Sequence, residues 1–391
     1  MGICNSTQTN SSSKRANTSK HIPKQNQTNS IITGKHSSST TCTSTPTNYI
    51  LPPSLCKYSD ITKDYKILSE LGSGISGTVC EAESFFNEKV AIKRINKSNI
   101  KFKDSVIKEA ELNKLLSHPH IIKCYDIYED SDTISFVLEL GEGGDLFDFI
   151  VNSPNGCVPL DLSIDLIEQI LETITYLHVT KGIVHRDLKP ENFMISIDKN
   201  NKPLVKLIDF GFATYIPKDK NSLLTECVGT PAYSAPEIVV HDDYDEKVDI
   251  WAIGVIMFNM LTGLEPFQGN SHSDLNYEIK YKKIRYDAIT DEKMRNFVSR
   301  FLDRNAKTRI TAEDALKVIK QIKQDNNNLL NGKLLINENN NDKDTPMKQK
   351  ELDYFMDGLK DNDNIMNTLL KMKIKILYTH YDKINRFNYV K

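Results

Sequence analysis

Ile183-Val-His-Arg-Asp-Leu-Lys-Pro-Glu-Asn192 gathers His185, Arg186, Asp187, Lys189 and Asn192 into one short segment. Taken singly, each has an ordinary explanation, and a lone aspartate is most often a cap or turn residue. The segment does not stand alone. Ile208-Asp-Phe-Gly211 follows with Asp209, Phe210 and Gly211, then Ala235-Pro-Glu237, then Asp249-Ile-Trp-Ala-Ile-Gly254 and Arg309. His185 and Phe210 read as packing residues rather than chemical ones.

Upstream, Leu71-Gly-Ser-Gly-Ile-Ser-Gly-Thr-Val79 sets Gly72, Gly74 and Gly77 in a G-x-G-x-x-G-x-V frame. Glycine permits a tight turn and lets backbone N–H groups approach phosphate oxygens. Leu71, Gly72, Ser73, Gly74, Ile75, Ser76, Gly77, Thr78 and Val79 are therefore candidate nucleotide contacts. Alone the frame is weak, because a dinucleotide fold carries the same glycines and many glycine loops are only turns. A dinucleotide site needs a helix directly after the loop. Here Thr78-Val-Cys-Glu-Ala-Glu-Ser84 follows and reads as a strand. Val90-Ala-Ile-Lys93 comes next. A strand lysine can pin α- and β-phosphates as a point charge; without the loop, Lys93 would be an ordinary solvated residue. The helical run around Lys108-Glu-Ala-Glu111 stops at Pro119 and offers Glu109 and Glu111 as partners for Lys93.

The chain has 391 residues and a net charge of −2, which does not suit a nucleic-acid protein with a strongly basic face. Its cysteines are odd in number and form no C-x-x-C pair. That argues against a disulfide framework or zinc site and fits a reducing, cytosolic compartment. No apolar run reaches the roughly 18 residues of a membrane helix, and Met1 to Ser13 lacks the apolar core of a secretory signal. Residues 1–58 are rich in Ser, Thr and Asn. They cannot bury enough surface to offset ordering entropy and read as a disordered arm. From Tyr65, short apolar runs such as Lys89–Ile95 and Ile134–Leu140 read as strands. From Leu160 the period becomes helical, with Ile164, Leu166, Ile167, Ile170, Leu171 and Ile174 on one face. Strands first and helices later predict an α+β unit of two lobes. An Asn-rich linker is expected over 325–341, and a further periodic segment over 349–391.

Glycine loop, Val-Ala-Ile-Lys, His-Arg-Asp, Asp-Phe-Gly and Ala-Pro-Glu, in that order, resemble the eukaryotic protein kinase signature. The resemblance covers residues 65–319. It implies the two-lobed protein kinase fold, a small β-rich lobe with one helix and a larger helical lobe. It implies ATP and Mg²⁺ as cofactors and a Ser/Thr hydroxyl on a protein as acceptor. Phosphoryl transfer needs positioning and charge neutralisation more than covalent help. On that footing Asp187 accepts or orients the hydroxyl proton, and Lys189 meets the γ-phosphate and marks a Ser/Thr rather than a tyrosine kinase. Asn192 and Asp209 hold Mg²⁺ through hard oxygen ligands. Glu109, ten residues before Pro119, is the kinase-like partner for Lys93. Leu71, Val79, Ala91, Met194 and Ile208 line the adenine pocket, Leu138 is the gatekeeper, and Glu139 and Leu140 form the hinge. Arg309 pairs with Glu237, and Thr230 orders Asp187 and Lys189. One departure is Asn113, where such kinases place an apolar residue; a buried polar group there costs free energy unless it is hydrogen-bonded.

Within kinases, His118–Asp130, Gly143–Ile150, Thr311–Leu316 and the insert Ser196–Gly211 resemble calcium-dependent protein kinases of the calcium/calmodulin-regulated group. In basophilic kinases the positions of Asp145 and Glu191 hold a basic residue of the substrate; alternatively Asp145 bonds only the ribose. Arg186 conventionally awaits an activation-loop phosphate. Glu226 stands at the usual phosphosite and can mimic that phosphate, with Thr225 as the rival site. The EF-hand frame is missing: near Asp382, Ile384, Arg386 and Phe387 stand where Asp, Asn or Gly are required. Calcium-indifferent transfer is therefore expected. Residues 369–383 mix lysines with apolar residues and read as a docking helix or a calmodulin target.

Met1-Gly-Ile-Cys-Asn-Ser6 fits the N-myristoylation frame through Gly2 and Ser6, with Cys4 placed for palmitoylation. One myristoyl chain binds membrane only marginally, so the second acyl site matters. The expectation is a monomeric, lipid-anchored kinase at the cytoplasmic face of a membrane, with no nucleic-acid partner. The rivals are a scaffold that binds partners without transfer and a dinucleotide oxidoreductase, the latter disfavoured by the strand after the glycine loop.

Overall fold

The computed structural model describes residues 49–337, apart from 75–76, 101–102, 142, 198–201, 218 and 220–221 and the side chains of 155 and 329–337. Five antiparallel strands build the small lobe: β1 (Tyr65–Gly74), β2 (Gly77–Ser84), β3 (Lys89–Asn96), β4 (Cys124–Glu129) and β5 (Thr133–Glu139). They lie in the order β1-β2-β3-β5-β4, and α1 (Lys103–Leu115) enters between β3 and β4. Successive side chains of a strand point to opposite faces, and β3 shows the consequence. Ala91 and Ile95 join one cluster with Val106 and Ala110 of α1 and with Ile134, Phe136 and Leu138 of β5. Val90 and Ile92 join another, on the far face, with Ile61, Ala82, Tyr128 and Val137. Lys93 shares the parity of Ala91 and Ile95 and so falls on the α1 side.

The large lobe is helical: α2 (Leu146–Val151), α3 (Leu160–Thr175), α4 (Pro236–Val239), α5 (Lys247–Thr262), α6 (His272–Tyr281), α7 (Glu292–Phe301) and α8 (Ala312–Asn337). Two short ribbons, β6 (Ile183–Val184) with β9 (Thr214–Tyr215) and β7 (Phe193–Ile197) with β8 (Pro203–Leu207), frame the active segment. The six apolar residues expected on one face of α3 are all buried. α5 is buried nearly all round, from Val248 through Phe258, as a helix apolar on every side must be. This is the two-lobed α+β kinase architecture.

Two boundaries differ from expectation. The polar arm does not reach residue 58: Leu51 is 2 % exposed, Ile50, Leu55 and Cys56 pack on the small-lobe core, and Lys57 bridges to Tyr128. Scattered apolar residues among prolines and serines escape a compositional average, yet each finds a partner. The linker also does not begin at 325. α8 continues through Asn337; ahead of the Asn run it is held to α3 by Lys320–Glu172 (2.9 Å) and Lys323–Asp165 (2.8 Å), with Ile319 and Ile322 buried. Gly2, Cys4 and residues 349–391, with the 369–383 segment, lie outside the described residues.

Candidate active site

The small-lobe half begins at the glycine loop. Gly72, Ser73 and Gly74 pair with Val79, Thr78 and Gly77 across the β1–β2 hairpin; Ile75 and Ser76, expected among the contacts, lie outside the described residues. Gly77 has φ +122°, and a Cβ there would sit 2.3 Å from the Arg94 carbonyl oxygen, so only glycine fits. At Gly72 and Gly74 a Cβ would meet no atom of the described residues within 4 Å. Protein packing does not demand those two glycines; a phosphate cradle does, and the site fits one.

Lys93 projects from β3 beneath this loop. Its ammonium lies 2.7 Å from Glu109 Oε1 and 3.3 Å from Asp209 Oδ1. Burial works against that charge, but Asp209 and Glu109 outweigh it and hold the ammonium above its usual range. Glu111 is exposed, which settles the choice between the two glutamates. Asn113 is buried and donates to the Glu109 carbonyl oxygen at 2.9 Å, so its amide donor is satisfied within the helix.

The large-lobe half is anchored on Asp249 of α5, 1 % exposed. Its carboxylate accepts the backbone N–H groups of His185 and Arg186, both at 2.8 Å, and the His178 ring nitrogen at 2.8 Å. That clamp holds Arg186 at φ +70°, a left-handed conformation rare for a bulky residue. Gly229 packs against the same turn, where a Cβ would come within 2.4 Å of the Arg186 carbonyl oxygen.

Asp187 is presented by this turn and is ringed by donors. Thr230 Oγ1 donates to its Oδ1 at 2.7 Å, and Lys189 lies 3.1 Å from its Oδ2. Lys189 also donates to Thr230 Oγ1 at 2.9 Å. Asn192 Nδ2 donates to the Asp187 carbonyl oxygen at 2.8 Å, which leaves the Asn192 amide oxygen as its acceptor. Asp209 accepts the Gly211 N–H at 3.0 Å, and the His185 ring meets its carbonyl oxygen. Burial opposes the charge on Asp209, but Lys93, the Gly211 N–H and His185 pull its carboxyl down to about 2. It is a carboxylate at any physiological pH, as a Mg²⁺ ligand must be.

Of the residues expected around the adenine, Leu71, Val79 and Leu140 pack on the cluster that holds Ala91 and Leu138; Ile208 donates its N–H to the Asn192 carbonyl oxygen at 3.0 Å. Met194 is half-buried, and its Cε would lie 2.7 Å from a Cβ at Gly141. Glu139 turns its carboxylate to Lys206 at 2.7 Å. Asp145 caps α2, accepting from the Asp148 N–H at 2.9 Å, and its backbone bridges to Met194. Glu191 Oε2 is buried and finds no partner among the described residues; burial, then neighbouring Asp145 and Asp187, push this carboxyl up against the pull of Lys189.

Arg186 Nη1 pairs with Glu226 Oε2 at 2.7 Å and also donates to Tyr244 Oη at 3.1 Å. Its Nε donates to the Phe212 carbonyl oxygen at 2.8 Å. The Tyr244 hydroxyl in turn donates to the Glu226 carbonyl oxygen at 2.6 Å. Tyr244 belongs to no motif, and nothing in its sequence context marks it. The Asp145 cap did carry a signal, an aspartate placed just before an apolar helical run.

The protein kinase domain family matches residues 65–319; the chain belongs to that family. Its domain is that of a serine/threonine protein kinase of the calcium-dependent and calmodulin-regulated group. It is 36 % identical over 264 residues to calcium-dependent protein kinase 4 of Plasmodium falciparum, covering 65 % of this chain and 49 % of that protein. It is 36 % identical over 266 residues to CDPK-related kinase 4 of Arabidopsis thaliana, covering 64 % and 43 %. A probable myosin light chain kinase of Dictyostelium discoideum is 35 % identical over 269 residues, 67 % of each chain. The chain spans about half the length of the first two relatives.

Proposed function

We propose that the chain transfers the γ-phosphate of Mg-ATP to Ser/Thr hydroxyls of proteins. The supporting observation is convergence: Lys93 bridges Glu109 of the small lobe and Asp209 of the large lobe, beside Asp187 in its ring of donors. Bound Mg-ATP supplies the phosphoryl group and the neutralising cation. Lys93 holds the α- and β-phosphates, with Glu109 fixing its direction. The Asn192 amide oxygen and the Asp209 carboxylate would hold the metal, hard oxygen donors of the kind Mg²⁺ takes, and the ion would neutralise charge on the phosphates. Asp187 Oδ orients the acceptor hydroxyl and takes its proton, while Thr230 and Lys189 keep that carboxylate aimed. Lys189 balances charge at the γ-position.

Glu191 and Asp145 favour substrates with Arg or Lys upstream of the acceptor. The buried, unpartnered Glu191 Oε2 supports this, since a guanidinium would satisfy it. Arg186–Glu226 replaces the phosphate that other kinases need, so transfer requires no activation-loop phosphorylation. Acylation at Gly2 and Cys4 brings the enzyme to the cytoplasmic face of a membrane, supported by the sequence frame alone.

The test is transfer to an Arg-containing peptide by the full chain, with and without Ca²⁺ and calmodulin, against Asp187→Asn. The substitution should lower kcat by about 100-fold or more with little change in Mg-ATP binding. Equal rates in the two proteins would overturn the reading. Strict dependence on Ca²⁺ would overturn the calcium-indifferent part only.

A further inference from the structure

Residues 49–58 lie along the small lobe as a strap. Lys57 pairs in parallel with Tyr128 on the open edge of β4; its N–H donates to the Ile127 carbonyl oxygen (2.8 Å) and its carbonyl oxygen accepts from Glu129 N–H (2.9 Å). Ahead of it, the backbone N–H groups of Ile50 and Leu51 donate to Glu129 Oε1 and Oε2 at 2.6 and 2.8 Å. Glu129 is 0 % exposed and also takes the Lys97 ammonium at 2.8 Å. Lys97 opens the connection from β3 to α1, and its ammonium lies 4.9 Å over the ring of Tyr49, which stacks on Tyr58 at 4.0 Å. The strap thereby seats Leu51 inside the cluster that holds Val106 and Ala110 of α1, with Ile107 at its margin.

A buried carboxylate is costly unless donors surround it, and the donors here come from the strap and from the lead-in to α1. The buried face of α1 is mixed: Glu109 and Asn113 share its inward positions with Val106, Ala110 and Leu112. Leu51 adds apolar contact beside Val106 and Ala110. We propose that residues 49–58 position α1, with Glu129 as anchor and Leu51 as wedge, and so hold Glu109 against Lys93. Leu51 and Glu129 are positioning residues; neither touches nucleotide or substrate. The proposal rests on the kinase reading above.

The test uses the full chain with Leu51→Ala, the gentler Leu51→Val, and Ile61→Ala as control. Ile61 is equally buried but packs on the opposite face of the sheet, with Ala82, Val90 and Ile92. All assays run well below each variant's unfolding midpoint. Leu51→Ala should lower kcat about tenfold, the size of a moderate coupling between sites, and Leu51→Val less. KM for the peptide, which docks on the large lobe, should not move. Amide hydrogen exchange should quicken along α1 but not along β7 and β8, and Ile61→Ala should keep the wild-type kcat. If Leu51→Ala does not fold, Leu51→Val carries the comparison. Wild-type kcat in the Leu51 variants, or an equal fall in Ile61→Ala, overturns the strap. A wild-type chain that transfers nothing sinks the kinase reading instead; the exchange rate of α1 then decides the strap, and unchanged exchange overturns it.

Discussion

The two halves of the cleft are held by different forces. On the large lobe, the loop that presents Asp187 is pinned by backbone N–H groups on a carboxylate buried in α5, a helix surrounded by apolar residues. On the small lobe, Lys93 is aimed by ion pairs between side chains, one of them across the cleft, and Glu109 rides on a helix with a partly polar inner face. The first half is a preformed platform and the second an adjustable arm. Damage to the platform should therefore register as lost stability, and damage to the arm as lost rate.

The sharpest break in that contrast comes from Arg309, 1 % exposed and joined to Glu237 by two bonds of 2.6 and 3.0 Å. It also donates to the Lys247 carbonyl oxygen at the start of α5 (2.8 Å). Arg309→Leu strands the Glu237 carboxylate and should cost about 3–5 kcal/mol of stability. Denaturant unfolding measures the loss, and the protein that remains folded should keep its kcat. A loss near zero would mean that α5 is not the platform it looks to be.

The next largest effect belongs to the arm. Glu109→Gln keeps the shape of the side chain but replaces a charge-assisted bond to Lys93, a bond of about 1.5–3 kcal/mol. The expected readout is a kcat about 10–100-fold lower with the unfolding midpoint nearly unmoved. A midpoint that fell while kcat held would reverse the roles assigned to the two halves.

Much of this is legible in the amino-acid order, for a physical reason. Gly77, Lys93, Asp187 and Asp209 act through residue type at fixed spacing along single strands and turns, and spacing survives in one dimension. Glu109 is favoured over Glu111 by its spacing to Pro119, and α1 buries the first while exposing the second. Tyr244 and the Leu51 wedge depend on segments distant in the chain, and no local pattern marks them; Asp249 stands in a legible motif, but its clamp on His185 and Arg186 spans 64 and 63 residues. The low helix propensity of the Asn run reads as a linker, yet the helix that starts at Ala312 carries on through it.

Glu226 probes the large-lobe half at the smallest scale, through its pair with Arg186. Its side chain is 67 % exposed, and an exposed pair contributes about 0.2–1 kcal/mol. Arg186 also keeps its bonds to Phe212 and Tyr244 when the carboxylate is removed. Glu226→Ala should therefore lower kcat by at most about fivefold, whereas an unchanged kcat would show that the loop needs no acidic partner. The pH dependence fixes the sign. The hydrogen bond and charge of Arg186 hold the Glu226 carboxyl below its ordinary 4.5. A depressed carboxyl contributes order that is fully present above its unfolded value and is lost only as pH falls through the lower folded one. The ratio of wild type to Glu226→Ala should thus stay flat from pH 6 to 8 and close only in acid. A ratio that instead changed near neutrality would assign the effect to some group other than this pair.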